Sequence, residues 1–453
     1  MSPDSSPLPG GPARLRVLVA SHSHPAVQNG GSEVASYALF DALRRRDRAG
    51  EDIRAWYLGC AHGDSWRRAG SAITQPFGPD EYLYSVGEAE WFKYANRDAA
   101  FARDFRALLR DLRPDVVHLH HYINFGMEAL LHVREVLPDA LLVLTLHEFL
   151  AICHQQGQMV KRPDGRLCAR SGPVDCSRCF PELAPSEFFV RYTYIERFMR
   201  HVHRFVAPSR FLARRYVEWG IPADAISVIE NIPSRAASRG EPPLRPADGA
   251  LRIGFFGQIS VLKGIEVVIE AARLLDRTAG TGPGQPDIVL SVHGDHTNQP
   301  PAFRDNFPAR MADAPPTLEF RGRYDNAGVG ALMESVDAVL VPSIWWENSP
   351  VVIQEAFRHG RPVICSDIGG MAEKVTNGVD GLHFPVGDAR GLVAALRRLA
   401  ADPELLRRLS AGAAATAAAG AAADPLAAHL RLYREHGPSR SIAAAGPRFG
   451  NPG

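Results

Sequence analysis

Residues 338–373 constrain the fold more than any other stretch. They read A-V-L-V-P-S-I-W-W-E-N-S-P-V-V-I-Q-E-A-F-R-H-G-R-P-V-I-C-S-D-I-G-G-M-A-E. The apolar run Ala338–Val341 stops at Pro342-Ser343 and predicts a buried strand. A loop follows, then a helix with Ser349 expected as N-cap and Pro350 as its first residue. Gly360 and Pro362 end that helix, and Pro362–Ser366 predicts the next strand. A strand–loop–helix–strand unit of this kind belongs to a parallel sheet. Ligands of such sheets bind beyond the carboxyl ends of the strands, where helix N-termini present free N–H groups. Glu347 in the loop and Glu355 in the helix flank that N-terminus. The N–H groups suit phosphate oxygens, and carboxylates suit sugar hydroxyls, which donate hydrogen bonds. A nucleoside diphosphate carrying a sugar has both parts.

Glu347 and Glu355 are separated by seven residues that begin Asn348-Ser349-Pro350. This resembles the Glu-x7-Glu motif of retaining glycosyltransferases of the GT-B fold, the large group 1 or family 4. The resemblance implies that Glu347 faces the donor sugar and Glu355 the ribose. It also implies that the backbone from Asn348 through Ser349 and Pro350 to Val351 holds the phosphates. A UDP- or GDP-sugar would be the co-substrate, with no metal or other cofactor required for catalysis.

At 453 residues the chain has room for two or three domains. A net charge of +1 argues against a nucleic-acid partner. No apolar run approaches the ~18 residues that span a bilayer. Met1–Ala13 is rich in Pro, Ser and Gly, has no apolar core, and reads as a disordered tail, so the expected location is cytoplasmic. The heavy use of Ala, Arg, Gly and Pro fits a bacterial genome.

In the first half, Leu15–Ala20 predicts a strand and Ser32 opens a helix with Ala35, Leu39, Ala42 and Leu43 on one face. The intervening loop lacks Gly-x-Gly-x-x-Gly but contains Gly30-Gly31, which lets backbone approach a phosphate. The resemblance places this loop against the donor from the opposite domain. Asp115–His121 and Leu141–Leu146 predict two more strands, with His118 and His120 on one face. The second strand leads into His147-Glu148, and a His at a strand's carboxyl end lies where substrate would be. It is similar to the family's acceptor-domain His, although the family often carries Asp where Glu148 stands. An irregular insertion, Ala151–Ser186, holds Cys153, Cys168, Cys176 and Cys179. In a reducing cytosol these cysteines point to a structural zinc. Cys60 and Cys365 fall in or near apolar strands and read as core. Phe188–Phe205 is expected to bury an aromatic face, with contact to an anionic membrane surface as the alternative.

Ser234–Gly249 reads as an interdomain linker. Beyond it Arg252–Phe256 predicts a strand, followed by Gly257-Gln258 and then Lys263-Gly264 before a helix. The family has Gly-Arg and then Lys-Gly here, with both cations on the pyrophosphate. Lys263 matches and Gln258 replaces the Arg. The run Ala411–Ala423 is expected to break the last helical region, and Leu426–His436 to cross back onto the first domain. Gly437–Gly453 reads as a second tail.

The expected fold is GT-B: two Rossmann-like domains, 14–235 and 251–420, facing a cleft. The expected activity is transfer of a sugar, with retention of configuration, to a glycan, lipid-linked sugar or small molecule. The resemblance places His147, Glu347 and Lys263 at the reacting centre. A nucleotide-sugar epimerase and a non-catalytic nucleotide-sugar-binding protein are the alternatives.

Overall fold

The computed structural model describes residues 14–28, 30–68, 70–232, 249–277, 288–325, 328–437 and 449. The N-terminal tail, the linker except for Gly249, and most of the C-terminal tail lie outside these residues. The first domain holds a sheet of eight strands: β1 (Leu15–Ala20), β2 (Ile53–His62), β3 (Ile73–Gly78), β4 (Glu81–Val86), β5 (Val116–Leu119), β6 (Leu141–Thr145), β7 (Arg204–Ala207) and β8 (Ile226–Val228). Their order is β3-β4-β2-β1-β5-β6-β7-β8, and every pair is parallel except the β3–β4 hairpin at one edge. The second sheet has six parallel strands: β9 (Leu251–Phe256), β10 (Ile288–His293), β11 (Leu318–Gly322), β12 (Ala338–Val341), β13 (Val363–Ser366) and β14 (Gly381–Phe384), in the order β11-β10-β9-β12-β13-β14.

Central strands β1, β5, β6, β9, β12 and β13 are largely buried and mostly apolar because helices cover both faces of each sheet. Leu18, Leu119, Leu144 and Phe205 belong to a cluster on one face of the first sheet, and Val17, Val19, Leu141 and Val143 to a cluster on the other. Cys60 and Cys365 are both fully buried in these cores.

The helix Pro425–His436 packs on the first domain. Its Leu430, Leu432 and Tyr433 join the cluster of Val17, Val19, Leu39 and Phe40. Full burial of such side chains contributes ~1.5–3 kcal/mol each. Tyr433 Oη also bonds His118 Nδ1 at 2.6 Å. The helix before it, Pro403–Ala422, puts Leu405 and Leu409 into the second domain's core. The chain therefore crosses between domains at Ala423-Asp424.

That preceding helix overturns the expected break in the Ala/Gly run, because it continues unbroken to Ala422. Alanine is the best helix former, so a run of it extends a helix. A Cβ on Gly412 would stand 2.0 Å from Val379 O, so this glycine is needed for close packing and does not end the helix.

Candidate active site in the cleft

The site is assembled from loops at the carboxyl ends of β1, β5 and β6 on one side and β9, β12 and β13 on the other. The loop after β12 runs Pro342–Pro350 into the helix Val351–Arg358. Glu347 in that loop is 7% exposed. Its Oε1 accepts three hydrogen bonds: from Lys263 Nζ at 2.6 Å, Ser343 Oγ at 2.7 Å and Trp345 Nε1 at 2.9 Å. All three bonds meet Oε1 and anchor that oxygen.

The turn that delivers Lys263 depends on Gly264. Its φ is +78°, and a Cβ there would fall 1.9 Å from Pro342 O. Ile344 N donates to Leu262 O at 2.9 Å and ties the two loops together. Gly369 and Gly370, after β13, press on the same loop. Gly370 N donates to Glu347 O at 2.6 Å, and a Cβ on Gly370 would stand 1.9 Å from Asn348 O. That N–H is therefore engaged in holding the Glu347 loop.

The expected helix cap is different. The helix begins at Val351, with Pro350 in the cap position. Ser349 Oγ instead donates to Glu230 Oε1 at 2.7 Å, across the cleft. Asn348 Nδ2 donates to the carbonyl of His147 at 2.8 Å, so Glu347 and His147 are brought together by the residue between them. Glu355 lies in the second turn, where burial raises its carboxyl above the usual range and Arg358 offsets part of the rise. Tyr324 lies near it, with its phenol pushed up to about 12 by burial and by the Glu355 charge. Gln258, after β9, is exposed.

From the first domain, Gly30 caps the helix Gly31–Arg48. Gly31 faces the opposite domain: a Cβ there would lie 3.9 Å from Val351 Cγ2. The same helix start carries a buried carboxylate that the motif reading missed. Glu33 is 2% exposed, pairs with His22 Nε2 at 3.1 Å and accepts from Ser32 Oγ at 2.9 Å. Burial alone would raise its carboxyl, but these contacts hold it down at about 2.

His147 Nε2 bonds His120 Nδ1 at 3.0 Å. Burial, with His121 and His22 nearby, pushes the His147 imidazole down to about 3, so it is neutral. Glu148 pairs with His121 Nε2 at 3.1 Å and accepts from Leu150 N. Burial lifts its carboxyl to about 7. A neutral imidazole facing a donor offers a hydrogen bond to a sugar hydroxyl without adding charge.

With this geometry, known proteins give a consistent picture. The structure of HepE from Anabaena in complex with UDP-glucose superposes over 93% of this chain and 98% of that one, with a TM-score of 0.62 at 16% identity. Sucrose-phosphate synthase from Thermosynechococcus elongatus covers 93% and 99%, with a TM-score of 0.63 at 17% identity. Residues 29–232 match the family model described as Glycosyltransferase Family 4, and residues 250–402 the one described as Glycosyl transferases group 1. Each half of the chain is thus similar to a glycosyltransferase domain, and together they have the GT-B fold. Among curated proteins, the glycogen synthase of Mycobacterium tuberculosis (strain CDC 1551 / Oshkosh) is 31% identical over 164 residues, 36% of this chain and 37% of that protein. The D-inositol 3-phosphate glycosyltransferase of Nocardia farcinica (strain IFM 10152) is 27% identical over 321 residues, 67% and 62% of the two chains. The match thus spans well under two thirds of the first of these relatives and somewhat under two thirds of the second.

Within this GT-B chain the geometry does not show the zinc site expected of the four cysteines of the insertion. Among the described residues no three His, Cys, Asp or Glu side chains are grouped to hold a metal ion. Cys168 Sγ turns to Arg170 O at 3.1 Å, and Cys179 Sγ accepts from Arg162 N at 3.2 Å. Burial raises the thiols of Cys153, to about 11, and of Cys168 and Cys176. Several contacts hold the insertion: Met159 is buried in the core, Val160 bridges Leu167, and Arg162 lies over the Phe180 ring at 4.5 Å. The aromatic helix Pro185–Met199 buries Phe188, Ile195, Phe198 and Met199, whereas Phe189 and Val190 face outward.

Motif reading also missed the seam between the domains. Trp346 Nε1 donates to Cys168 O at 3.3 Å, and its ring lies 5.2 Å from Phe211. Glu373 accepts from the backbone N–H groups of Arg210 and Phe211 at 2.8 and 2.6 Å, capping a first-domain helix from the second domain. Lys374 pairs with Glu230 and donates to Pro208 O at 3.0 Å. These partners meet only through tertiary structure, and no local pattern marks them.

Proposed function

We propose that the protein transfers a glycosyl group from a UDP- or GDP-sugar to a hydroxyl of an acceptor glycan, lipid-linked sugar or small molecule. Anomeric configuration is retained, and no divalent ion is needed on the diphosphate. The observation that carries this reading is the buried Glu347 carboxylate, clamped by Lys263, Ser343 and Trp345 one residue from the Asn348–His147 contact. In this reading the diphosphate lies at the start of the helix Val351–Arg358, met by Lys263 and by backbone N–H groups of Asn348, Ser349 and Val351. Pro350 has no N–H and serves by fixing the entry of the helix. Glu355 takes the ribose. Gly30-Gly31 closes the site from the first domain with backbone alone, since the Glu33 carboxylate at that helix start disfavours a second anion there. His147 bonds a donor-sugar hydroxyl.

The bond from the anomeric carbon to the diphosphate oxygen breaks, and the bond to the acceptor oxygen forms on the same face. The acceptor proton leaves with the diphosphate. Charge building on the leaving group meets donors fixed before reaction, which stabilise it without reorganising.

Among the described residues no helix is long and apolar enough to cross a membrane. Peripheral contact with an anionic surface forms part of the reading, supported by Val174, Phe189 and Val190, which are 55%, 60% and 52% exposed.

The test uses a donor found by thermal shift. Transfer continues in excess EDTA, and NMR of the product shows the donor's anomeric configuration. Loss of activity restored by magnesium or manganese would remove the metal-free part. An inverted anomeric signal would remove retention.

A second expectation concerns Gln258. It is exposed where the family resemblance implies a cation. Gln258→Arg tightens binding of UDP or GDP, because a charge-assisted contact is worth ~1.5–3 kcal/mol against ~1 for a neutral one. Unchanged affinity by isothermal titration would mean that another cation already fills this role.

A further inference from the structure

The seam between the domains carries a carboxylate beside the proposed diphosphate site. Glu230 follows β8 on a fixed stretch of the first domain. Ile229 on one side is buried in that domain's core, Ile232 on the other packs against it, and Ile229 N donates to Ala207 O at 3.0 Å. From this mount the Glu230 side chain reaches the second domain. Its Oε1 accepts from Ser349 Oγ at 2.7 Å and from its neighbour Asn231 N at 3.2 Å, and its Oε2 pairs with Lys374 Nζ. Lys374 Nζ also donates to Pro208 O at 3.0 Å, which fixes the ammonium group at the seam. The carboxylate therefore bridges two points of the second domain: Ser349, ahead of the helix Val351–Arg358, and Lys374, at the end of the helix Gly369–Lys374.

Other contacts also hold the seam. Glu373 caps the helix that begins at Arg210, Trp346 lies against Phe211, and Asn348 reaches His147 O. The Glu230 side chain is 31% exposed, and a half-exposed ion pair adds little to such an interface. Its larger effect is to set a negative charge on the hydroxyl of Ser349, whose backbone N–H belongs to the proposed diphosphate cradle. A diphosphate in that cradle meets a like charge well inside the ~8 Å over which salt screens charges. Gln258 brings no charge to offset it. Lys374, on the other carboxylate oxygen, does.

We infer that Glu230 regulates the donor site from the opposite domain: its carboxylate competes with the donor diphosphate for Ser349, and Lys374 draws it aside when the diphosphate enters. The inference rests on the donor reading above and adds a residue that sets donor affinity. Two anions do not share Ser349 at full charge, so entry of the diphosphate turns the Glu230 side chain wholly toward Lys374, where an opposite charge favours the ionised carboxylate. When the diphosphate leaves, Glu230 takes Ser349 again. Donor and nucleotide product carry the same diphosphate, so the competition weakens both and eases release of the product.

The experiment uses the full chain with UDP or GDP, whichever raises the melting temperature, and with the matching nucleoside. Affinities are read by isothermal titration. Glu230→Gln is isosteric and tightens the nucleoside diphosphate roughly fivefold or more, whereas the nucleoside, which has no phosphate, binds as it does to the wild type. The gain shrinks at high salt, as a charge effect does. Lys374→Met weakens the nucleoside diphosphate several-fold. That loss disappears in the Glu230→Gln background, because no carboxylate is left to neutralise. Three results overturn the inference: a nucleoside diphosphate bound no more tightly by Glu230→Gln than by the wild type, a nucleoside that gains as much as its diphosphate, or a Lys374→Met loss of the same size in both backgrounds. If Glu230→Gln fails to fold, Glu230→Ala takes its place with the same expectations. If neither nucleotide binds the wild type, the donor reading falls separately, and inorganic diphosphate becomes the probe. Tighter binding of it by Glu230→Gln keeps the competition at Ser349, and no tightening removes it.

Discussion

Glu347→Gln lowers turnover by at least ~100-fold, about 2.7 kcal/mol in the barrier, while the protein stays folded. The amide is isosteric with the carboxylate, and its oxygen can still accept from Ser343 and Trp345. It cannot carry the charge that fixes Lys263 Nζ at 2.6 Å. The Lys263 side chain is 31% exposed, so once released it hydrates and turns outward. The mutant thereby loses both the oriented carboxylate and the placement of the cation. Each is a positioning effect of the kind that costs orders of magnitude in rate when displaced by about 1 Å. The fold persists because the loop is also held by Gly370 N to Glu347 O and by Asn348 to His147 O, neither of which involves the altered group. Steady-state kinetics with a melting curve checks both halves. Turnover equal to the wild type would end the assignment of Glu347.

The 338–373 stretch carried most of the fold because its signals are local. A Val/Leu run is β12, the second apolar run is β13, and Gly-Gly opens the helix after it. The same local logic misplaced the helix cap by one residue. Ser349 had the chemistry of a cap, but Glu230 from the other domain supplied a better partner for its hydroxyl. The β3–β4 hairpin had no reading at all from sequence. β3 (I-T-Q-P-F-G) contains a proline and is partly exposed, as an edge strand is. The four cysteines are a related case. Sequence spacing says nothing about where Sγ atoms point, and buried apolar and cation–aromatic contacts also hold the insertion. Glu373 is a residue that only the assembled chain explains, since its carboxylate caps a helix more than a hundred residues away. The imidazoles at the ends of β5 and β6 were legible singly. Their number and enclosure were not, because burial is a property of the packed sheet.

That enclosure makes stability depend steeply on acid. His118, His120, His121, His147 and His429 are all held below the ordinary imidazole range, chiefly by burial, with His147 at about 3 and His429 at about 4. In the unfolded chain each titrates near 6.5. A depressed folded value means that the unfolded state binds the proton first. Stability is therefore full above about pH 6.5 and falls as pH drops toward the folded values. Each such group removes up to ~1.4 kcal/mol per pH unit across that window. Glu148 acts in the opposite sense. Its folded value of about 7 lies above the ordinary carboxylate, so protonation between pH 7 and about 4.5 favours the folded state and offsets roughly one imidazole. Glu33, held at about 2, adds its loss only below about pH 4.5. Between pH 7.5 and 5.0 the loss from the buried imidazoles outweighs the gain from Glu148, so the protein is markedly less stable at the lower pH. Urea unfolding at the two pH values, followed by circular dichroism, should show the midpoint collapsing at pH 5.0. The C-terminal helix shares in this dependence, because His118 bonds Tyr433 and lies 5.6 Å from the His429 ring. His429→Gln keeps a polar side chain of similar size and cannot be protonated, so it narrows the gap between the two midpoints. Equal midpoints at pH 7.5 and 5.0 in the wild type would mean that the imidazoles reach water in the folded protein, and the buried, neutral cluster would be wrong.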